Sequence, residues 1–373
     1  MMGEGRSDVL FEGDEALLEI ARVNVERAVS ELRYGRPVIL HTRVASSSVL
    51  ALDASAPADL ARFHGAGPDA AELFLSAQRA RALGLSTIGP VCFETGRRDF
   101  TDLSQLAFAP DLQTDARWRP APEFACLGEL ARLALLLPAF LVRPVRDADD
   151  ARCLSVSERE IRSAPAQESR FTEVARTPVP LRDVSDCRFV VFRGGLAQRD
   201  QLAIVVGEPD TSRPVPVRIH SSCITGDLFG SLKCDCGDQL RGGLQLIAQR
   251  GGGVLLYLDQ EGRGTGLAAK MRAYRLQHDG YDTIDADAQL GLEPDGRRYG
   301  AAVAMLRELG IASVELLTNN PAKIAALQAA GIDVHARTAV LGTVTAENRD
   351  YLVTKAQRAG HLLDWPTIAA KLG

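Results

Sequence analysis

Three cysteines in one short segment constrain this chain more than any other feature of its sequence. Cys223, Cys234 and Cys236 follow the spacing Cys-x10-Cys-x-Cys inside a stretch rich in Gly, Asp, Ser and Thr. Three thiolates suit a zinc ion. A structural zinc site normally has a fourth protein ligand, whereas a site with three keeps one position open for water or substrate. The spacing therefore predicts a loop that gathers three thiolates around zinc, with the open position typical of a hydrolytic centre.

The composition is that of an ordinary globular protein. At 373 residues the chain is long enough for two domains with separate cores. Its hydrophobic fraction is 46%, its charged fraction 24% and its formal net charge −5. An acidic protein has no general attraction for nucleic acid or an anionic membrane, so we expect neither as a partner.

The remaining cysteines and the lack of a targeting signal lead us to expect a reducing, cytoplasmic location. Four of the seven cysteines stand singly and are expected to be buried, reduced thiols: Cys92, Cys126, Cys153 and Cys187. The first residues have no apolar signal core, and no apolar run approaches the roughly 20 residues that span a bilayer. Free thiolates would then be available to bind metal.

A polar stretch in the middle of the chain predicts two domains. Residues 1–153 and 171–373 are expected to fold separately, joined by a linker over 154–170 that is rich in Ser, Glu and Arg. The apolar spacing of the first half predicts a helix over 15–33, a strand over 37–41, and helices over 59–84 and 126–137. We find no catalytic constellation there and interpret His41 and His64 as structural or surface histidines.

Strands, loops and helices alternate in the second half. The predicted strands cover 202–206, 215–219, 254–258, 313–317 and 332–335, and the predicted helices cover 239–249, 267–278, 300–309 and 321–330. The cysteine loop follows the second of these strands, and a Gly-rich loop over 259–266 follows the third. Such alternation predicts an α/β layered fold.

The motifs of the second half strongly resemble the GTP cyclohydrolase II family. The resemblance covers about residues 170–365 and implies a mixed sheet with flanking helices. It rests on five segments that keep the family's order: Arg218–Asp227, Ser231–Gly237, Gln260–Gly264, Leu316–Lys323 and Asn348–Lys355. The implied reaction is hydrolytic opening of the imidazole ring of GTP at C8, the first step of riboflavin biosynthesis. Its products would be formate, pyrophosphate and a diaminopyrimidinone ribosyl phosphate.

The resemblance also implies a set of site residues. Zn²⁺ would be held by the three cysteines, Mg²⁺ would accompany the triphosphate, and the protein would be a homodimer. The implied GTP contacts are Arg218, Ile219, His220, Ser221, Ser222, Gln239, Glu261, Gly262, Arg263, Thr283, Thr318 and Lys323. Lys323 falls in the first turn of a predicted helix, where its charge and the helix N-terminus both favour phosphate.

Three further residues carry the implied chemistry. The family assigns Asp295 as general base and Arg297 as the nucleophile that attacks the α-phosphorus to release pyrophosphate. A guanidinium is a poor nucleophile at its ordinary pKa, so a clamp for transition-state charge is an equal interpretation of Arg297. Tyr274 aligns with a tyrosine near the ring-opening centre, where it would position the attacking water or transfer a proton. A structural tyrosine is the competing interpretation.

The first half resembles the dihydroxybutanone-phosphate synthase domain that is often fused in front of this family. The similarity lies in its length, its position and the segment over 28–38. That domain depends on an acidic loop after its first strand, where carboxylates hold Mg²⁺. The corresponding stretch here, His41–Leu50, contains no carboxylate. Without acidic ligands there is no hard-cation site, and we predict a catalytically inactive, structural domain.

The chain departs from the family pattern in three places. Ser222 stands where the family has Glu, Asp259 where it has Arg, and Arg298 where it has Asp. We expect a carboxylate at 259 to weaken triphosphate binding by on the order of a few kcal/mol, with Arg298 restoring positive charge nearby. The departures leave open a diverged paralogue that acts on another nucleotide or base, such as the uracil-catabolism proteins similar to this family.

Two alternatives from other classes also stand. One is a non-catalytic nucleotide-binding protein that keeps zinc for structure, and the joint retention of Asp295, Arg297 and Tyr274 argues against it. The other is a zinc knuckle for nucleic acid. The acidic net charge and the lack of interleaved aromatic residues argue against that interpretation.

Overall fold

Two seven-stranded sheets, one in each half of the chain, organise the fold. The computed structural model describes residues 12–64, 71–146, 150–167, 169–196, 200–358, 360 and 362. Helices cover the sheets and bury separate apolar cores, which confirms the predicted α/β class. Among the described residues, no helix has the length and apolar character needed to cross a membrane.

The first sheet is almost entirely antiparallel. Its strands are β1 Val38–His41, β2 Ser46–Ala51, β3 Glu72–Leu75, β4 Val91–Glu94, β5 Trp118–Pro120, β6 Ala139–Pro144 and β7 Ser155–Ser157. The helices of this half are α1 Glu12–Arg33, α2 Pro57–His64, α3 Ala77–Ala82, α4 Phe100–Phe108, α5 Cys126–Ala134 and α6 Glu158–Gln167. The order is β5-β4-β3-β6-β2-β1-β7, and only β1 with β7 pair in parallel.

Two expectations for this half are wrong. Most of the expected linker over 154–170 belongs to the first domain, as strand β7 beside β1 and as helix α6 against α1. Its charges lie on the solvent side of an amphipathic helix, while Val156, Ile161 and Ala164 are buried in the core. The expected helix over 59–84 is interrupted by strand β3, whose residues Leu73, Phe74 and Leu75 are buried in the sheet.

The second sheet is mixed and follows the predicted alternation closely. Its strands are β8 Phe171–Pro178, β9 Cys187–Gly194, β10 Gln201–Val206, β11 Val215–Ser221, β12 Gly253–Leu258, β13 Ser313–Leu317 and β14 Asp333–Thr338. The helices are α7 Cys236–Gln249, α8 Leu267–His278, α9 Thr283–Gln289, α10 Gly300–Glu308, α11 Pro321–Ala329 and α12 Arg349–Gln357, with short helical turns at Ile224–Leu228 and Glu261–Gly264. The order is β14-β13-β11-β12-β10-β9-β8.

Three parallel strands at the centre of this sheet carry the loops that matter for function. Strand β11 pairs in parallel with both β12 and β13, so their carboxyl ends meet at one edge. The cysteine loop follows β11, the loop over 259–266 follows β12, and residues 318–320 follow β13. The edge outside the carboxyl ends of parallel strands is where ligands bind in open α/β sheets.

A buried ion pair in the first domain gives a direct test of its packing. Arg143 and Asp150 are 3% and 5% exposed, and two hydrogen bonds of 2.8 and 2.9 Å join them. Removing one partner leaves an uncompensated buried charge. We therefore expect Asp150→Ala to lower the free energy of unfolding by about 3–5 kcal/mol in urea denaturation. The exposed Arg193–Asp200 pair is the control, and Asp200→Ala should cost less than about 1 kcal/mol. Equal losses in the two variants would contradict this view of the core.

Candidate functional site

The three predicted metal ligands converge. The sulfur atoms of Cys223, Cys234 and Cys236 all lie within 4.8 Å of one another, and the first two are 3.7 Å apart. Thiolates about 2.3 Å from one tetrahedral zinc would be separated by roughly 3.8 Å. Gly226 lies against them: a Cβ atom there would come 2.8 Å from the Cys234 sulfur and 3.2 Å from the Cys223 sulfur. The loop therefore closes tightly around the space that three thiolates share.

A single carboxylate fastens the beginning of this loop to the sheet. Asp227 accepts a hydrogen bond of 2.9 Å from the backbone N–H of Cys223 and another of 2.9 Å from the Tyr257 hydroxyl on β12. The Nε2 atom of His220, on β11, lies 3.2 Å from both of its oxygens. Burial lowers the pKa of His220, with the nearby Arg218 acting in the same direction, so a neutral imidazole donates to Asp227.

Lys270 brings a positive charge to the cysteine cluster. Its Nζ atom lies 3.1 Å from the Cys223 sulfur, 2.8 Å from the Thr225 hydroxyl and 2.8 Å from Glu261. Glu261 in turn accepts a 2.6 Å hydrogen bond from the backbone N–H of Ile224. The pKa of the Cys223 thiol is lowered by hydrogen bonds from the other two thiols and, more weakly, by Thr225 and Lys270. Such a setting favours a thiolate, which is the form that binds metal.

The cluster opens into one of two neighbouring cavities. The smaller, of about 100 Å³, is lined by the three cysteines, Tyr274, Thr283 and the loop over 260–265. The larger, of about 340 Å³, lies beside it and is lined by six basic side chains and two carboxylates. The basic residues are Arg218, Arg263, Arg297, Lys323, Lys355 and Arg358. Cys236, Arg263, Arg297 and Tyr351 are among the residues lining both cavities, so the two spaces adjoin.

The larger cavity carries polar groups that have no partner in the protein. Among the described residues, Arg218 Nε and Ser221 Oγ are buried without a hydrogen bond, and both side chains line this cavity. Buried donors and acceptors are normally satisfied, so these two atoms depart from the usual pattern. Lys323 is 8% exposed and donates to the Ile219 carbonyl at 2.7 Å. Burial, with Arg297 and Arg218 nearby, lowers its pKa well below the usual range.

Asp295 and Arg297 form a bidentate pair at the wall of the larger cavity. The guanidinium donates to the two carboxylate oxygens at 2.8 and 2.5 Å. Burial disfavours charge on both groups, but their mutual hydrogen bonds and ion pair favour charge more strongly. The pKa of Asp295 is therefore lowered from its usual value, and the pKa of Arg297 is raised from its usual value. Both side chains are therefore charged, which disfavours nucleophilic attack by Arg297.

Arg263 connects the loop after β12 with the segment that carries Asp295. Its backbone is left-handed, with φ of 60°, an uncommon conformation for a residue with a side chain. The guanidinium donates to Asp287 at 3.1 Å and to the Pro294 carbonyl at 2.8 Å. The loop after β12 is thereby tied to helix α9 and to the turn that precedes Asp295.

The structure brings almost all of the sequence-predicted residues together. Every implied GTP contact except Ile219 lines one of the two cavities, as do Asp295, Arg297 and Tyr274. Ile219 is fully buried and contributes only its carbonyl, which accepts from Lys323. The roles of these residues remain predictions.

The sequence reasoning missed several residues of the site, among them Asp235, Lys270, Asp287, Tyr351, Lys355 and Arg358. Asp235 lies between two of the cysteines and accepts hydrogen bonds from Lys355 at 3.0 Å and from Gln239. Lys355 and Tyr351 come from helix α12, within a segment that carries the family motif. Their position within that motif was the one available signal, but no spacing rule places a C-terminal helix beside a loop more than a hundred residues earlier.

The expectation for two of the three departures is wrong. Asp259 and Arg298 line neither of the two cavities; both face the first domain, in a separate cavity that Leu133 and Leu135 also line. The guanidinium of Arg298 lies 3.6 Å from Glu129 of helix α5. Asp259 therefore does not oppose an anion in the basic cavity, and Arg298 adds no positive charge there. Ser222 does lie at the cysteine cavity, and its hydroxyl accepts from the Gln260 N–H at 3.1 Å.

The chain is similar in sequence to known proteins of one family. The profile described as GTP cyclohydrolase II matches residues 172–339. The chain is 50% identical over 353 residues to a GTP cyclohydrolase-2 of Xylella fastidiosa, covering 92% of this chain and 88% of that protein. It is 38% identical to a GTP cyclohydrolase-2 of Azospirillum brasilense, covering 92% and 95%. A riboflavin biosynthesis protein RibBA of Bacillus mycoides matches over 173 residues at 48% identity, covering 46% of this chain and 44% of that protein.

Asp287 gives this site a measurable pH dependence. Burial raises its pKa to about 7, with Asp295 and Asp282 adding to the effect and Arg263 opposing it. The folded state therefore favours the protonated acid, and ionisation costs stability as the pH rises from about 4 to about 7. Removing that cost with Asp287→Asn should raise the unfolding free energy relative to wild type by roughly 2–4 kcal/mol more at pH 8 than at pH 4.

The measurement is urea denaturation at a series of pH values. Asp285→Asn, an exposed position on the same helix, is the matched control and should change far less across this range. Parallel stability curves for wild type and Asp287→Asn would show that Asp287 is ionised in the folded protein throughout.

Proposed function

Because this chain belongs to the GTP cyclohydrolase II family, we propose that it opens the imidazole ring of GTP at C8 and releases formate and pyrophosphate. The observation that supports this most is the joining of two chemistries in one site. A cluster of three thiols lies at one end and a cavity with six basic side chains at the other, with shared walls between them. Ring opening needs the first, and a triphosphate needs the second. The organic product is a diaminopyrimidinone ribosyl phosphate, at the start of riboflavin biosynthesis.

The three cysteines would hold a single Zn²⁺. The 3.7 Å between the sulfurs of Cys223 and Cys234 fits two thiolates on one tetrahedral zinc, and all three sulfurs lie within 4.8 Å of one another. Gly226 leaves the space that the ion needs. A zinc with three protein ligands would supply a water whose pKa is lowered to about 7, and such a water is suited to attack at C8 of guanine. Lys270 balances the charge of the thiolates, and Glu261 holds both Lys270 and the start of the cysteine loop in place.

The basic cavity would take the triphosphate. Arg218, Lys323 and Arg297 all lie in its wall. Helix α11 begins there, with Asn320 as its cap, so its N-terminus also favours an anion. Mg²⁺ would accompany the phosphates as the counter-charge of the leaving pyrophosphate.

We assign Arg297 to bind the α-phosphate and stabilise its developing negative charge. Asp295 would hold the Arg297 guanidinium in position. The bidentate pair keeps the guanidinium charged and fixed, which suits electrostatic stabilisation of developing negative charge. Tyr274 faces the cysteine cavity, where burial raises the pKa of its hydroxyl. A neutral phenol there would donate a hydrogen bond to the attacking water or to the opening ring.

The first domain would have no chemistry of its own. The stretch over 41–50 lacks carboxylates, and in the part of the chain that the structure describes the cysteine cluster is the one group of three or more metal-binding side chains. Asp150, which approaches this stretch through Ser48, is neutralised by Arg143. These features support a structural role.

A homodimer in the cytoplasm completes the proposal. Leu228, Phe229 and Leu232 of the cysteine loop are 70%, 75% and 57% exposed. Leu228 also lines an apolar cavity of about 790 Å³. Large exposed apolar side chains grouped in this way mark an interface, and a second copy of the chain would cover them.

The proposed reaction is tested by its products. Zinc-loaded protein incubated with GTP and Mg²⁺ should yield formate and pyrophosphate in equal amounts, measured by coupled assays. Protein stripped of metal should be inactive and should recover with Zn²⁺. The variant Cys234→Ser should lose zinc and both products, while Cys187→Ser, a buried thiol outside the site, should keep them. No product from GTP but turnover of another nucleotide would indicate a diverged paralogue, and binding without turnover a non-catalytic protein.

The assignment of Arg297 is tested by substitution. Arg297→Lys keeps the charge but loses the fork that pairs with Asp295, and we expect kcat to fall by roughly 10²–10³ with zinc content unchanged. An arginine that formed a covalent bond with the substrate would leave a trapped adduct in wild type, visible by mass spectrometry of the quenched enzyme. Detection of that adduct would contradict the clamp.

A further inference from the structure

We propose that the first domain positions the nucleotide site, through Ser76 and Arg79 at the start of helix α3. These two residues hold the end of helix α9 and the turn that follows it. The inference gives the catalytically silent domain a part in the chemistry of its neighbour. The inference rests on the proposed function only for the part of its test that measures kcat.

Arg79 caps the C-terminal ends of two helices, α4 in the first domain and α9 in the second. It is 1% exposed and has the largest fully buried side chain described. Its Nε and Nη2 atoms donate to the Leu106 carbonyl at 3.1 and 2.9 Å, and Nη2 donates to the Ala109 carbonyl at 2.7 Å, at the end of α4. Its Nη1 atom donates to the carbonyl and the side-chain oxygen of Gln289, the last residue of α9, at 3.0 and 2.9 Å.

This arrangement makes the connection rigid. A guanidinium is planar and its donors have a fixed geometry, so satisfying two carbonyls in one domain fixes the direction of Nη1 toward the other. A cation at a helix C-terminus is also favoured by the helix dipole, here for two helices at once. Burial lowers the pKa of Arg79 to about 10, so its charge persists at neutral pH.

Ser76 adds a second contact on the same segment. Its hydroxyl donates to the Gly291 carbonyl at 2.6 Å and also caps α3 by accepting from the Arg79 N–H at 3.2 Å. Gly291 has φ of 75°, and a Cβ atom there would come 2.9 Å from the Ser76 hydroxyl and 3.2 Å from the Arg79 side chain. The backbone of the second domain is therefore in direct contact with the first domain at this turn.

Helix α9 carries this constraint into the site. Thr283, its first residue, and Asp287 both line the cysteine cavity. Asp287 accepts from Arg263, which also holds the Pro294 carbonyl just before Asp295. A displaced α9 would shift Asp287, and with it Arg263 and the turn that presents Asp295 and Arg297.

Other contacts between the domains reach the same side of the site. Leu135 packs against Gly266, whose added Cβ would lie 3.2 Å from the Leu135 Cβ. Glu129 lies 3.6 Å from Arg298, and Asp53 pairs with Arg272 two residues before Tyr274. The first domain thus touches the catalytic loops and helix α8 as well as α9.

The test uses the full chain with two mild substitutions. Ser76→Ala removes the hydroxyl that holds Gly291, and Gln289→Met removes the side-chain acceptor of Arg79 while keeping the length of the side chain. The matched control is Arg119→Ala, on the edge strand β5 of the same domain, which breaks the ion pairs of Arg119 with Glu72 and Glu123. Gln289→Glu, which keeps an acceptor oxygen for Arg79, serves as the rescue variant.

We expect Ser76→Ala/Gln289→Met to lower kcat by about tenfold or more at full zinc occupancy, because small misplacements of catalytic groups are costly. The kcat of Arg119→Ala and of Gln289→Glu should stay within about twofold of the wild-type value. For Arg119→Ala this should hold even if that variant lowers the melting temperature as much as the double variant does. Hydrogen exchange should become faster across residues 283–297 in the double variant, and unchanged in the control.

Either of two results in the double variant would overturn the inference: kcat within twofold of wild type, or unchanged exchange across residues 283–297. An equal fall of kcat in Arg119→Ala would show that a general loss of stability lowers kcat, and it would overturn the inference as well. If wild-type protein releases no product from GTP, the proposed function fails. The exchange measurement then decides the positioning role by itself.

Discussion

The carboxylate of Asp227 is the contact on which the site depends. It joins the ends of two parallel strands, through His220 on β11 and Tyr257 on β12, to the backbone of the first cysteine. A buried carboxylate is stable only when its charge is met by donors, and here three groups donate to it. The loop that follows can then turn back with its thiols at fixed distances. The cysteine spacing alone provides the ligands; Asp227 determines where they stand relative to the sheet.

The same logic joins the metal end of the site to the phosphate end. Asp235 lies between Cys234 and Cys236 and accepts from Lys355 and Gln239, and Gln239 accepts from Arg218 at 2.9 Å. One network of hydrogen bonds therefore runs from the cysteine loop to the basic residues of the larger cavity. A nucleotide that spans both cavities would touch groups whose positions already depend on each other, which suits a reaction at both its base and its α-phosphate.

Sequence patterns predicted the parts of this protein that depend on local periodicity or on a compact motif. The alternation of the second half and the convergence of the three cysteines are confirmed, and nearly all of the residues predicted for the site line one of the two cavities. Segment 155–167 was missed because helix α6 has a polar face, and three buried apolar residues among many charges are a weak signal. The orientation of Asp259 and Arg298 was missed because charge in a loop does not tell which side the side chain faces. That side is set here by the first domain, whose docking no local pattern records.

X-ray absorption at the zinc edge of the purified protein tests the central claim most directly, because it counts the atoms bound to the metal. An open three-thiolate centre predicts one zinc per chain, with about three sulfur neighbours near 2.3 Å and a single light atom at about 2.0 Å. The contribution of this light atom to the absorption spectrum should change when a guanine nucleotide is added. A fourth sulfur, an imidazole in the fourth position, or protein that binds no zinc would contradict the account of a hydrolytic site.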